Sequence, residues 1–429
     1  MPIQTKSIKR VAIVGGVRLP IARAGTAFNE LSNLDLLTLN LQAMVKKFGL
    51  HGRRLGDVAL GAVINQSRDW NLAREVVLKS GLSPETPAFG VQRACGTGLE
   101  AAILIGSKIA LGQIESGIAG GCDSMSDVPV FYQRGMAKRI VEMGRARNWP
   151  DRLKAFRGFS AAELKPAYPA VTESTTGLSM GESCEMMAKN WQIPRDEQDK
   201  LALVSHQNGV AAYKRGFYND LVVEAAGLAR DNNLREDTTL EKLAKLKPAF
   251  DKSPAGTLTA GNSSPLTDGA SAVLMGTEDW AKASGLAPQA FLTECEVAAV
   301  NLHEEGLLMA PAYAVSRMLA RAGLTLQDFD YYEIHEAFAA QVLCTLKAWE
   351  SPEFCKDRLG RNEPLGKIDR SKLNVNGGSV ALGHPFGATG GRIVATLAKA
   401  LQEKGKGRGL ISICTGGGMG VAAIIEAAT

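Results

Sequence analysis

Cys95 lies in Arg93-Ala94-Cys95-Gly96-Thr97-Gly98, at the start of a helical pattern. A thiol so placed has its thiolate favoured by the helix dipole and by free backbone N–H groups. The flanking glycines let a ligand approach closely. Against this stands the buried structural cysteine, the commoner case for an isolated Cys. His384, in Gly383-His384-Pro385-Phe386-Gly387, is an imidazole on a turn that glycine and proline fix, a placement suited to a general base. An isolated histidine more often caps a helix or bonds a carbonyl. Cys414 ends an apolar strand pattern and precedes Gly416-Gly417-Gly418, whose backbone can offer N–H donors to an oxyanion. A redox pairing of Cys95 with Cys414 would need a proximity that the sequence does not supply. His335-Glu336-Ala337-Phe338 follows the strand-like Tyr331-Tyr332-Glu333-Ile334. It lacks the second histidine of a helical zinc-protease motif, and Phe338 reads as core or pocket wall.

These residues need a scaffold, and 429 residues with 45% hydrophobic content provide two or three structural units rather than one small domain. Apolar runs are strand-length, and none approaches the roughly 20 residues that a bilayer span requires. The opening stretch alternates like a strand and lacks an apolar signal-peptide region. Seven cysteines, an odd number without a Cys-x-x-Cys pair, argue against a disulfide framework and a zinc knuckle alike. A reducing, cytoplasmic setting is expected. The formal charge of +5 is too small to indicate nucleic-acid binding but suits an anionic small substrate.

Strand-like runs near 8–15, 58–63, 87–92 and 116–120 alternate with helical patterns at 34–48, 71–80 and 97–112, the rhythm of an α/β layered fold. The second half repeats it, with strands near 289–299, 331–334, 409–414 and 420–426 and helices at 310–322, 337–349 and 389–404. Between them, residues 134–165 carry nine basic side chains against three acidic ones. Polar helices follow around 182–192 and 196–215. A solvated face and a role toward a phosphate-bearing ligand, a partner or a membrane surface are equally open for that basic run. Arg145, Arg147 and Arg152 are its central charges. Cys95-Gly96-Thr97-Gly98, a helix, a strand and Gly120-Gly121-Cys122 are echoed by His384, Gly387-Ala388-Thr389-Gly390, a helix, a strand and Cys414-Thr415-Gly416. An internal duplication explains the echo and places Cys95 and His384 at related positions on facing halves.

The blocks around Cys95, His335, Asn376-Gly377-Gly378 with Gly383-His384-Pro385, and Cys414, in this order and spacing, resemble the four signature blocks of thiolases. The resemblance spans nearly the whole chain. His335-Glu336-Ala337-Phe338, where most thiolases have Asn, is similar to the 3-ketoacyl-CoA thiolases of bacterial fatty-acid oxidation complexes and the β subunit of the trifunctional protein. Thr238-Thr239-Leu240 and Lys247-Pro248-Ala249-Phe250 are shared with that subgroup. Asp123 replaces a common Glu, and Ser179 before Met180 replaces the His of many acetoacetyl-CoA thiolases.

The resemblance implies an α/β fold of two duplicated layered halves, a five-layered α-β-α-β-α core with an inserted loop domain. Residues 1–125 with 255–278 would form the N-terminal half, 126–254 the loop domain and 279–429 the C-terminal half. It implies an acyltransferase that cleaves 3-ketoacyl-CoA with coenzyme A or runs the reverse condensation. Cys95 would be the nucleophile, His384 its base and Cys414 the acid/base at the acetyl carbon. His384 with a water held by His335 would serve the enolate oxyanion, and the N–H groups of Cys95 and Gly416 that of the acyl intermediate. Ser264, Met180 and Phe338 would contact the substrate. No metal or redox cofactor is expected, coenzyme A being a substrate. A homodimer or dimer of dimers is expected, and subgroup members often join a hydratase/dehydrogenase subunit. The competing readings are a short-chain acetoacetyl-CoA thiolase, a ketoacyl-synthase or HMG-CoA-synthase-like condensing enzyme, which Cys414 disfavours because decarboxylating synthases typically use histidine there, and a non-catalytic lipid-binding or assembly subunit.

Overall fold

The computed structural model describes residues 8–169 and 172–428, so the outer limits placed at residues 1 and 429 lie outside the described residues. The first half runs β1 (Val11–Arg18), β2 (Ala22–Arg23), α1 (Asn33–Lys47), β3 (Asp57–Ala62), α2 (Leu72–Ser80), β4 (Ala88–Gly90), α3 (Thr97–Ala110) and β5 (Ser116–Asp123). A helical excursion follows, with α4 (Arg134–Arg145), α5 (Trp149–Lys154), α6 (Met180–Asn190), α7 (Arg195–Lys214) and α8 (Leu240–Ala244). The chain re-enters the sheet as β6 (Thr267–Thr277), then α9 (Glu278–Ala283), β7 (Ala290–Ala299), α10 (Leu302–Glu305), α11 (Ala310–Ala322) and β8 (Tyr331–Ile334). It ends with α12 (Ala339–Glu350), α13 (Pro352–Asp357), α14 (Ser379–Leu382), α15 (Ala388–Lys404), β9 (Arg408–Thr415) and β10 (Met419–Ala427).

The strands join in the order β4-β3-β5-β6-β1-β7-β10-β9-β8, with β2 on β6. In the first half β3 is parallel to β5, while β5 to β6 and β6 to β1 are antiparallel. In the second, β8 is parallel to β9, while β9 to β10 and β10 to β7 are antiparallel. The same pairing scheme therefore occurs twice. The copies meet where Val11–Ile13 pair with Ala290–Leu292.

Period-2 alternation sorts each strand between two layers. Ile118 and Leu274 pack with α1 and α2, whereas Ala119 and Val273 face the central helices. Ile411 and Ile413 also face the centre, while Leu410 and Ile424 join the core under α11 and α12. The layers are thus helix, sheet, the α3/α15 pair, sheet, helix. β6 shows no clear apolar alternation because Gly269, Ala270, Ser271 and Ala272 dilute its pattern, although all eleven residues are buried.

α3 and α15 cross at glycines, and here the reason is space. A Cβ on Gly390 would lie 2.0 Å from the Leu99 nitrogen, and one on Gly98 would lie 2.7 Å from the Gly387 oxygen. Only hydrogen at both sites lets the two helix N-termini, and the loops before them, come together.

The helical excursion is tied to β1 by a buried bidentate pair, Arg18 to Asp231 at 2.6 and 2.7 Å, with the Tyr213 hydroxyl donating to the same carboxylate. The basic run folds as α4 and α5, neither of which buries a residue. Arg139 holds it together by pairing with Glu163 and donating to the carbonyls of Ala155, Arg157 and Gly158. No helix among the described residues is long and apolar enough to cross a membrane.

Candidate active site

Cys95 stands one residue before the Gly96 cap of α3. Thr97 builds its loop, accepting from the Arg93 N–H at 2.8 Å and donating to the Ala94 carbonyl at 2.7 Å. Ala94 adopts φ 43°, a left-handed conformation that costs a non-glycine residue about 1 kcal/mol or more. The sequence favoured a thiolate here, but the structure reverses that sign. Burial dominates and pushes the thiol up to about 12, with Asp123 adding to it. The N–H groups of Gly416 and of Cys95 itself pull the other way. Those two donors converge on the Cys95 sulfur.

His384 follows Gly383, whose φ of 113° demands glycine. Its Nδ1 meets Thr389 Oγ1 at 2.6 Å, fixing the ring, while Nε2 is buried without a partner among the described residues. His335, just beyond β8, has the same arrangement, with Nδ1 2.9 Å from Ser379 Oγ and a buried, unpartnered Nε2. The ring centroids are 4.1 Å apart. Cys95 Sγ and one ring nitrogen from each histidine all lie within 4.8 Å of one another. Burial, followed by nearby Arg392, holds His384 down at about 3, and burial also holds His335 well below its usual range, so both rings are neutral.

Ser379 assigns the His335 tautomer. Its Oγ accepts from Arg392 Nη2 at 2.8 Å and its other contact is His335 Nδ1, so the hydroxyl proton is satisfied by donating to that nitrogen. His335 Nε2 then carries hydrogen and is a donor. For His384 to act as a base, Nδ1–H must donate to Thr389 and leave the Nε2 lone pair free. The adjacent Glu336 is structural, accepting from Ser205, Asn374 and the Val380 N–H.

Cys414, at the end of β9, is buried, and burial pushes its thiol well up, with Cys95 adding to the effect. Both thiols line a cavity of about 370 Å³ together with His384, Gly416, Met180, Phe338 and Ser264. Its wall is apolar, and Phe338 meets Phe250 edge-on at 5.7 Å. His335 is not among the cavity-lining residues. It sits behind His384, 1% exposed. The Ser264 hydroxyl is already engaged, donating to the Ala337 carbonyl at 2.9 Å, so its first task is to hold this wall.

Several supporting residues carried no signal as individuals in the sequence: Ser379, Thr389 and Arg392 act through contacts made only on folding. Thr389 could have been noticed, being one turn beyond His384 on the helix that follows. Asp123, noted only as a departure, accepts from the N–H groups of Val63, Ile64 and Gly387. It thereby locks the His384 loop against the end of β5. Burial raises it to about 6, against the pull of those donors.

A thiol, a neutral imidazole, a second thiol and converging N–H donors in an apolar cavity, on a duplicated five-layered fold, are the groups that acyl transfer requires. Residues 11–279 match the thiolase N-terminal domain and residues 286–427 the thiolase C-terminal domain. The chain is 40% identical over 432 residues to the 3-ketoacyl-CoA thiolase of Yersinia pestis (strain Pestoides F), covering 99% of each. Human mitochondrial 3-ketoacyl-CoA thiolase in complex with CoA superposes with a TM-score of 0.81 at 30% identity, covering 99% of this chain and 100% of that one. Bacillus anthracis acetyl-CoA acetyltransferase gives 0.82 at 32%, covering 98% and 100%. The chain belongs to the thiolase family.

Proposed function

We propose that the protein catalyses CoA-dependent thiolysis of 3-ketoacyl-CoA in fatty-acid oxidation, releasing acetyl-CoA and an acyl-CoA two carbons shorter, through an acyl-Cys95 intermediate. The observation that carries the role assignment is Cys95 Sγ grouped with two imidazoles, each with an unpartnered Nε2, beside an apolar cavity. His384 Nε2 takes the thiol proton as Sγ bonds to the 3-keto carbon. The N–H groups of Cys95 and Gly416 receive the oxyanion. As that intermediate collapses, the Cα–Cβ bond breaks and the acetyl-CoA enolate leaves. Its oxygen is stabilised by His384 and by His335, directly or through a held water, and its carbon takes a proton from Cys414. The Cys414 thiolate then deprotonates the second CoA thiol, which attacks the acyl-enzyme. Cys95 departs and recovers its proton from His384. Met180 and Phe338 line the path of the pantetheine or acyl chain, and Ser264 flanks it.

In this reading coenzyme A is a substrate and no metal or redox cofactor takes part. Residues 126–254 form the loop domain over the two core halves. The enzyme works in the cytoplasm as a homodimer or dimer of dimers, with a hydratase/dehydrogenase subunit as candidate partner. A strict acetoacetyl-CoA thiolase is the second reading, supported by the similarity to the Bacillus anthracis acetyl-CoA acetyltransferase. Thiolysis rates across 3-ketoacyl-CoAs of increasing length decide between them. The apolar cavity predicts comparable kcat/KM over medium and long chains, and a sharp preference for acetoacetyl-CoA would overturn the broad-chain assignment.

A further inference from the structure

We infer that Cys95, His335 and His384 form a binding site for a borderline or soft divalent cation such as zinc, and that occupation of this site reversibly inhibits the enzyme. Three features converge on it. The sulfur and one nitrogen of each ring all lie within 4.8 Å of one another. Both Nε2 atoms are buried and without partners, whereas both Nδ1 atoms are held by hydroxyls, His335 by Ser379 and His384 by Thr389. A metal-bound histidine likewise has its second nitrogen oriented by an outer hydrogen bond, which His384 can donate as it stands and His335 can donate once its proton moves to Nδ1. The chemistry of the donor set is selective as well. One thiolate and two imidazoles suit zinc or cobalt in tetrahedral geometry and suit magnesium or calcium poorly.

The dimensions agree. Bond lengths of about 2.0–2.1 Å to nitrogen and about 2.3 Å to sulfur put tetrahedral ligand atoms roughly 3.5 Å apart. Closing the present separation asks each donor to move by at most about three-quarters of an ångström, within reach of small side-chain rotations. The fourth position faces the cavity and can be filled by water. Binding releases the Cys95 proton to solvent and moves the His335 proton from Nε2 to Nδ1, where the Ser379 hydroxyl turns to accept it, so that the electron pairs on sulfur and on both Nε2 atoms become metal ligands. The sulfur can then no longer attack a carbonyl, and His384 can no longer accept a proton. Asparagine at position 335, as in most thiolases, would leave only a Cys–His pair. His335 is therefore what turns this centre into a chelate. The inhibition rests on Cys95 being the nucleophile, whereas the binding rests on geometry alone.

The probe is cobalt(II) alone, titrated into chelator-stripped full-length protein. The expected spectrum has intense tetrahedral ligand-field bands and a thiolate-to-cobalt charge-transfer band, saturating at one equivalent per chain and displaced by zinc. Zinc should abolish thiolysis, EDTA should restore it, and zinc should protect Cys95 from iodoacetamide. His335→Asn should weaken cobalt binding by at least about 10-fold. Cys95→Ser should lose the charge-transfer band and keep weakened ligand-field bands. Absence of tetrahedral bands in the wild type, or a cobalt affinity and zinc inhibition unchanged in His335→Asn, would overturn the proposal. Cobalt binding in a protein that shows no thiolysis of any 3-ketoacyl-CoA would support the metal site and count only against the proposed function.

Discussion

At the scale of single residues, the active-site groups are held in their uncharged forms. Burial raises Cys95 to about 12 and lowers His384 to about 3, so the resting pair is thiol and imidazole. In the proposed mechanism the proton leaves sulfur in step with attack, as the substrate carbonyl oxygen reaches the Cys95 and Gly416 N–H groups. A testable sign follows. A histidine whose folded pKa is depressed stays neutral as pH falls through its ordinary value of 6.5 and protonates only near 3. The pH profile of kcat/KM should therefore show no acid limb between about pH 5 and 8 from imidazole protonation. An inflection at 6.5, removed by replacing His384, would contradict it. Cys95, His384, Cys414 and His335 were legible in the sequence because each sits in a distinctive local block. The sign of the Cys95 shift was not. A helix N-terminus can be read from neighbouring residues, whereas desolvation comes from the whole fold. Ser379 and Arg392 were silent for the same reason, since the hydrogen bonds that give them meaning join α14, α15 and the end of β8.

Between elements, the crossing of α3 with α15 brings the two catalytic loops together. Gly390→Ala would drive a Cβ into backbone atoms of Gly98 and Leu99, which cannot rotate aside. It should destabilise the protein by about 3 kcal/mol, the upper end for overpacking. Thiolysis should fall with it, as Cys95 and His384 separate. Gly144→Ala on α4, where an added Cβ meets nothing within 4 Å, is the control and should be neutral or slightly stabilising. Urea midpoints of both variants check this, and equal midpoints would refute the role given to the crossing. The helices and most strands were readable from periodicity, with ends differing by a few residues. β6 was not, because small residues carry little hydrophobic signal even when buried. Gly98 and Gly390 were visible as motif glycines, but their purpose, helix contact rather than loop freedom, needed the partner helix.

Across the whole molecule, the duplication visible in the motifs is repeated in the sheet, where β3-β5-β6-β1 and β8-β9-β10-β7 share one pairing scheme. The sequence echo of Cys95 with His384 implied two facing halves, and that arrangement is what lets one chain assemble a site from both. How the helical excursion is fastened to them could not be read, because Arg18 and Asp231 are 213 positions apart and no local pattern pairs them. Asp231→Ala would leave a buried guanidinium without its carboxylate and Tyr213 without its acceptor. Removing one partner of such a pair costs about 3–5 kcal/mol. Calorimetry or urea unfolding should register that loss, and a change below about 1 kcal/mol would show that the pair is not a principal fastening.

The central claim is that Cys95 carries the acyl group, and it can be weighed directly. Protein incubated with a 3-ketoacyl-CoA in the absence of free coenzyme A, quenched in acid and analysed by peptide mass spectrometry should carry the shortened acyl group on the peptide containing Cys95. Free coenzyme A should discharge the adduct, and Cys95→Ser should form none while remaining folded. Turnover without any adduct at Cys95, or an adduct on Cys414 instead, would contradict the account.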